Sequence, residues 1–298
     1  MADDRPLARR LRHGAEAAGF SLASALFRLL GPDLASDVGG WIGRVLLRRL
    51  PVTARARENL RTAFPELAPP EVERIVRGMW DNLGRVGAEY PHLASLADAE
   101  PPRVEVIGRE HIEAALAKGR GLVFAAGHFA NWEAIAAAAK RIGVRAVGVQ
   151  RPPNNPLIAR RLTRLRVAAG AEAMADKGPA GLRRIYAALR AGGAVVLLVD
   201  QATGEGVAAP FFGKLAMTTD APATLALKLG APIVFVRMER LGAARFRAHV
   251  SAPLDPPTTG DLTADVLALT AELNRRVEDA IRVDPARWLW LHRRWPRD

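Results

Sequence analysis

Cysteine is absent from all 298 residues, which excludes disulfides, thiolate metal sites and a cysteine nucleophile together. No stretch reaches the roughly 20 uninterrupted apolar residues of a membrane-spanning helix. The nearest, residues 15–30, carries Glu16 and Arg28 and stops at Gly31-Pro32-Asp33. No cleavable signal is expected, because the chain opens on Met1-Ala2-Asp3-Asp4, acidic where a signal is basic. Acids are in deficit: 31 Asp and Glu against 43 Lys and Arg leave a net charge of +12, which favours acidic partners or anionic surfaces. The G-x-S-x-G nucleophile elbow and the H-E-x-x-H metal helix are both missing. Covalent serine chemistry and a metal centre are therefore not expected.

What remains is ordinary globular material, 49% apolar and 25% charged, with ample apolar content for a core. Residues 1–100 read helical, over 15–30, 36–50, 53–63 and 70–96, punctuated by Gly31-Pro32, Pro51 and Pro65. Segment 41–50, WIGRVLLRRL, sets Trp41, Leu46 and Leu50 beside Arg44, Arg48 and Arg49. Such a basic amphipathic helix either lies in a membrane interface or packs on the domain with its basic face in water. From Val104 short apolar runs alternate with helical stretches, which predicts an α/β domain whose mixed sheet is flanked by helices. Strands are expected at 104–108, 121–127, 146–150 and 194–199, with a hairpin over 232–240 and 244–250. Helices are expected at 111–119, 131–143, 156–170, 181–193, 224–230 and 262–284.

GLVFAAGHFANWEAIAAAAK (121–140) carries the chemistry. On one continuous helix His128 and Glu133, five residues apart, would point about 140° away from each other. If GLVFAAG is a strand, His128 stands just past its C-terminal end, where open α/β sheets bind ligands. Asn131 then caps the following helix and Glu133 falls in its first turn. There His128 can take a proton from a hydroxyl while Glu133 holds the other ring nitrogen. Asp200 ends the run AVVLLV and stands at a second strand end. It can face the same crevice.

GHFANWE, RPPNNPLI (151–158) with Arg166, VDQATGEGVAAPFFGKLAMTT (199–219) and WLWLHRRW (288–295), preceded by RENLRTAFPE (57–66), resemble in order the bacterial lipid A biosynthesis acyltransferase family. The resemblance runs from about residue 10 to the C-terminus. It implies a glycerolipid-acyltransferase-like fold, with a helical membrane-association segment over 1–50, a helical lead-in over 51–100 and a catalytic domain over 101–298. It implies catalytic roles for His128 as base, Glu133 as its partner, Arg166 and Asp200. It also implies that Arg151, Asn155, Gln201 and the Phe211-Phe212-Gly213 stretch line the substrate crevice. Gln150 departs from the family, in which an aromatic residue commonly precedes Arg-Pro.

The implied reaction moves a fatty acyl chain from an acyl carrier protein thioester to a hydroxyl of a lipid A precursor. It needs no cofactor, metal or nucleic acid, and takes place at the cytoplasmic face of the inner membrane. A related glycolipid acyltransferase of phosphatidylinositol mannoside type, using acyl-CoA, is the near alternative. A non-enzymatic basic peripheral membrane protein is the distant one. Phe211 and Phe212 read equally as aromatic anchors of a turn or as a channel wall. Trp288, Trp290 and Trp295 form either an interfacial belt or a packed terminal strand.

Overall fold

The computed structural model describes residues 5–295; the acidic opening Met1–Asp4 lies outside them. Five helices come first: α1 (Arg5–Leu29), α2 (Gly31–Val45), α3 (Thr53–Ala63), α4 (Pro69–Glu89) and α5 (Leu93–Asp98). The expected break at Gly31-Pro32 is one residue wide. Gly31, the first residue of α2, adopts φ +70°, and Pro32 follows in the first turn, where a missing N–H costs nothing. Helix α2 lies directly on α4 because both surfaces are glycine there. A Cβ on Gly43 would sit 1.9 Å from the Trp80 carbonyl oxygen, and one on Gly39 2.4 Å from that of Gly84.

The α/β part runs β1 (Val104–Ile107), α6 (Arg109–Leu116), β2 (Leu122–Ala126), α7 (Ile135–Arg141), β3 (Ala146–Gln150), α8 (Pro156–Ala168), β4 (Ala171–Asp176), α9 (Pro179–Arg190) and β5 (Ala194–Leu198). It continues with β6 (Val207–Phe211), β7 (Lys214–Thr218), α10 (Ala221–Leu229), β8 (Ile233–Arg240), β9 (Phe246–Val250) and α11 (Leu262–Val283). Seven strands form one sheet in the order β1-β9-β8-β2-β5-β3-β4, and β6 and β7 form a separate hairpin. Every pairing in the large sheet is parallel except β8 with β9, so the expected mixed sheet flanked by helices is what forms. Strand β2 is buried at all five positions, as a central parallel strand covered on both faces must be. It pairs in register with β5, Ala126 opposite Leu198. Residues two past these ends, His128 and Asp200, therefore emerge side by side.

Strand β4 and the β6–β7 hairpin were not expected. The hairpin turns on Phe212 (φ 49°) and Gly213 (φ 71°), two successive left-handed residues as a tight two-residue turn requires. Buried residues run as one cluster from Ala56 and Leu60 through the sheet to Trp288, Trp290 and Trp295. The C-terminal WLWLHRRW forms no regular strand: Trp288 bridges to Phe129, and side-chain hydrogen bonds tie the rest to the domain, from Asn59 to the Trp290 and His292 carbonyls and from Arg294 to the Met217 carbonyl. All three tryptophans are buried, which decides for the packed segment and against the interfacial belt. Among the described residues no helix is long and apolar enough to cross a membrane.

Candidate active site

The Asp200 carboxylate is 1% exposed and organises the site. Its Oδ1 accepts from His128 Nδ1 at 2.8 Å. Its Oδ2 accepts from the His128 backbone N–H at 2.6 Å and from Trp288 Nε1 at 2.6 Å. Burial pushes this carboxyl up, but the adjacent imidazole and the donated hydrogen bonds outweigh it, and Asp200 titrates below the usual carboxylate range. An ionised carboxylate at Nδ1 fixes the imidazole proton there and leaves a lone pair on Nε2. Gln201 Nε2 donates to that lone pair at 3.1 Å, and the Trp132 ring meets the imidazole edge-on, with centroids 4.9 Å apart.

Glu133 is not the partner of His128, contrary to the sequence expectation. Its carboxylate accepts two bonds from Arg166, from Nε at 2.7 Å and from NH2 at 2.6 Å, one from the Tyr90 hydroxyl at 2.5 Å and one from Trp132 Nε1 at 3.1 Å. The physical reason is strand order. With β5 beside β2, Asp200 reaches Nδ1 first, and α8 delivers Arg166 to the first turn after Asn131. Arg160, Arg161 and Arg164 on the same helix are exposed; Arg166 alone of the four turns inward to Glu133. Burial lowers its affinity for the proton, yet the Glu133 bonds raise it further, so Arg166 stays a cation. Gln150, where the family commonly has an aromatic residue, accepts from Arg166 NH1 and so helps to aim it.

Two further expectations need correction. Asn155 does not line a crevice. It is buried and caps α8, accepting from Leu157 N at 3.0 Å, while its amide donates to the His13 carbonyl and to Glu16 of α1 at 2.9 and 2.8 Å. Phe211 is fully buried between Phe212, Trp288 and Trp295, and Phe212 stacks under the Arg282 guanidinium. The two phenylalanines anchor a turn that Phe212 and Gly213 form. Arg151 is exposed past the end of β3.

Sequence reasoning missed Trp288, Tyr90 and His292. The half-buried His292 is held below the usual imidazole range by burial first and then by its neighbour His128. Only the tryptophan-rich tail hinted at any of them. Among the described residues no group of three or more His, Asp or Glu side chains is arranged to hold a metal ion. The arrangement is an imidazole with Nδ1 on a buried carboxylate and Nε2 toward Gln201, and a fixed guanidinium nearby.

The profile of the family described as "Bacterial lipid A biosynthesis acyltransferase" matches residues 8–297. A lipid A biosynthesis lauroyltransferase of Escherichia coli (strain K12) is 30% identical over 266 residues, covering 87% of this chain and 84% of that protein. A lipid A biosynthesis palmitoleoyltransferase of the same organism is 27% identical over 274 residues, covering 88% and 83%. A lipid A biosynthesis acyltransferase of Haemophilus influenzae is 24% identical over 275 residues, covering 91% and 82%. With the family profile spanning nearly the whole chain and a relative 30% identical over most of both chains, this protein belongs to the bacterial lipid A biosynthesis acyltransferase family and is an acyltransferase.

Proposed function

We propose that the chain transfers a fatty acyl group from an acyl carrier protein thioester to a hydroxyl of a lipid A precursor, with His128 as general base and no covalent acyl-enzyme. The observation that carries this reading is the Asp200–His128 pair, whose Nδ1 is committed and whose Nε2 meets only a neutral, half-buried amide. An incoming hydroxyl replaces the Gln201 amide at Nε2 and gives up its proton there. Its oxygen forms a bond to the thioester carbonyl carbon, and the C–S bond breaks. The proton then passes from the imidazolium to the departing thiolate. Asp200 stabilises the transient imidazolium, and the thioester, already activated, makes an enzyme nucleophile unnecessary. The fold this reading implies is the glycerolipid-acyltransferase type over 101–298.

The net charge of +12 favours an acidic carrier protein as donor and suits the phosphates of the acceptor. Purified protein given a lipid A precursor is expected to prefer carrier-protein thioesters over acyl-CoA of equal chain length. The donor KM is expected to rise with salt as surface attraction is screened. Equal use of both donors with no salt dependence would overturn the donor assignment.

Residues 1–50 act, in this reading, as an interfacial anchor at the cytoplasmic face of the inner membrane. Leu7, Leu11, Leu22, Leu26 and Leu29 of α1 are 55–83% exposed, and Trp41, Leu46 and Leu50 are 45–50% exposed. The α1 leucines recur at helical spacing on one side, and arginines flank them. An apolar stripe with basic borders partitions into a headgroup boundary. Combined substitution Leu22→Glu, Leu26→Glu and Leu29→Glu, all on exposed positions, is expected to move the protein from the membrane to the soluble fraction at unchanged melting temperature. Retention on anionic vesicles would contradict the anchor.

A further inference from the structure

Helix α4 reaches into the active site from outside the sheet. Asn82 and Glu89 are seven residues apart, two turns, and so share one face; Tyr90 follows immediately. Asn82 Nδ2 donates to the Ala130 carbonyl at 2.9 Å. Glu89, which is 0% exposed, accepts from Asn131 Nδ2 at 2.7 Å. Asn131 Oδ1 in turn accepts from the Glu133 backbone N–H at 3.0 Å. The Tyr90 hydroxyl donates to the Glu133 carboxylate at 2.5 Å. Three side chains thus hold three of the four residues in the turn 130–133, which joins the base to Glu133. That turn needs holding: Ala130 is left-handed at φ 47°, a conformation an alanine adopts only when its surroundings impose it.

Glu89 is itself fixed from two further elements. Arg240 of β8 donates to both of its oxygens and also to Asn82 Oδ1 at 3.2 Å. Ser36 of α2 donates to Oε1 at 2.6 Å. A buried ion pair offers little net stability compared with an apolar pair of the same volume, so stability alone does not account for it. Its hydrogen bonds instead point at the one strained turn in the site.

We propose that Glu89, aimed by Arg240, is a positioning residue for acyl transfer: through Asn131 it sets the 130–133 turn, and with Tyr90 it holds the His128 and Glu133–Arg166 groups in their working geometry. This rests on the reading of His128 as base. A misplacement of about 1 Å in a catalytic group costs on the order of 10²-fold in rate.

The test uses the full chain and measures kcat, donor KM and melting temperature. Asn131→Asp keeps the cap on Glu133 but turns the donor facing Glu89 into a second carboxylate. It is expected to lower kcat by about 10²-fold with donor KM unchanged. Adding Glu89→Gln reverses the direction of that hydrogen bond, and the double variant is expected to recover most of the lost kcat. Tyr90→Phe, which keeps the ring and its burial, is expected to lower kcat by about 10-fold, again without raising KM. Folded variants with wild-type kcat, or a double variant no better than Asn131→Asp, would overturn the proposal. If these variants turn over normally while His128→Ala does not, only the positioning role fails. Normal turnover in His128→Ala would remove the base reading on which it rests.

Discussion

His128→Ala is expected to lose turnover by at least 10²–10⁴-fold, the usual contribution of a general base, with donor KM and melting temperature close to wild type. The side chain is 13% exposed and its ring contacts lie at the crevice: Asp200, Gln201 and the edge of Trp132. Its removal opens space toward solvent rather than inside the core, so the stability cost is small. The acceptor hydroxyl then loses the imidazole that takes its proton. Loss of fold with near-normal turnover in the surviving fraction would mean that the imidazole only caps a strand.

Asp200→Asn is expected to cost on the order of 10⁴-fold in kcat, because the substitution forces the wrong tautomer. Oδ2 already accepts from the His128 backbone N–H and from Trp288 Nε1, so an asparagine must keep its oxygen there. Its NH2 group then faces Nδ1 and donates to it. The ring proton moves to Nε2, and the base nitrogen becomes a donor. The folded structure changes little, since Asn fills the same buried volume. A kcat within 10-fold of wild type, in protein with its normal melting temperature, would show that Asp200 does not set the tautomer.

How much of this was legible in the sequence depended on whether the signal was local. His128 and Asp200 could be placed because each follows an apolar run that reads as a strand, and strand ends are where such sheets work. Their pairing could not be read. It follows from β5 lying between β2 and β3, a fact of strand order that no spacing in the chain encodes. Nearness in sequence therefore favoured Glu133, which the fold gives to Arg166. Asn155 carried a local signal that was passed over: an asparagine directly before a proline is a helix cap, and it caps α8.

Strand β4, AEAMAD, has no β-branched or aromatic residue and sits at the sheet edge, so composition gave no strand signal. The β6–β7 hairpin hid for a related reason. Its turn opens with a phenylalanine where Asn or Gly is usual, held in place by Glu278 at its backbone N–H and by Arg282 over its ring. Helix α1 starts ten residues before the expected 15, through an arginine-rich stretch whose apolar signal is thin, Leu7 and Leu11 among Arg9, Arg10, Arg12 and His13 beyond Arg5 and Pro6. The clamp from α4 joins residues more than 40 positions apart and lies beyond any local pattern.

Which carboxylate serves His128 is decided by a double-mutant cycle in single turnover with a labelled acyl donor. In the His128→Ala background, Asp200→Asn is expected to cost nothing further, since a tautomer-setting carboxylate has no role without its imidazole. Glu133→Gln, acting through Arg166, is expected to cost about as much in that background as in the wild type. The opposite pattern, with Glu133→Gln silent and Asp200→Asn still costly once His128 is gone, would return the partnership to Glu133 and contradict the site described above.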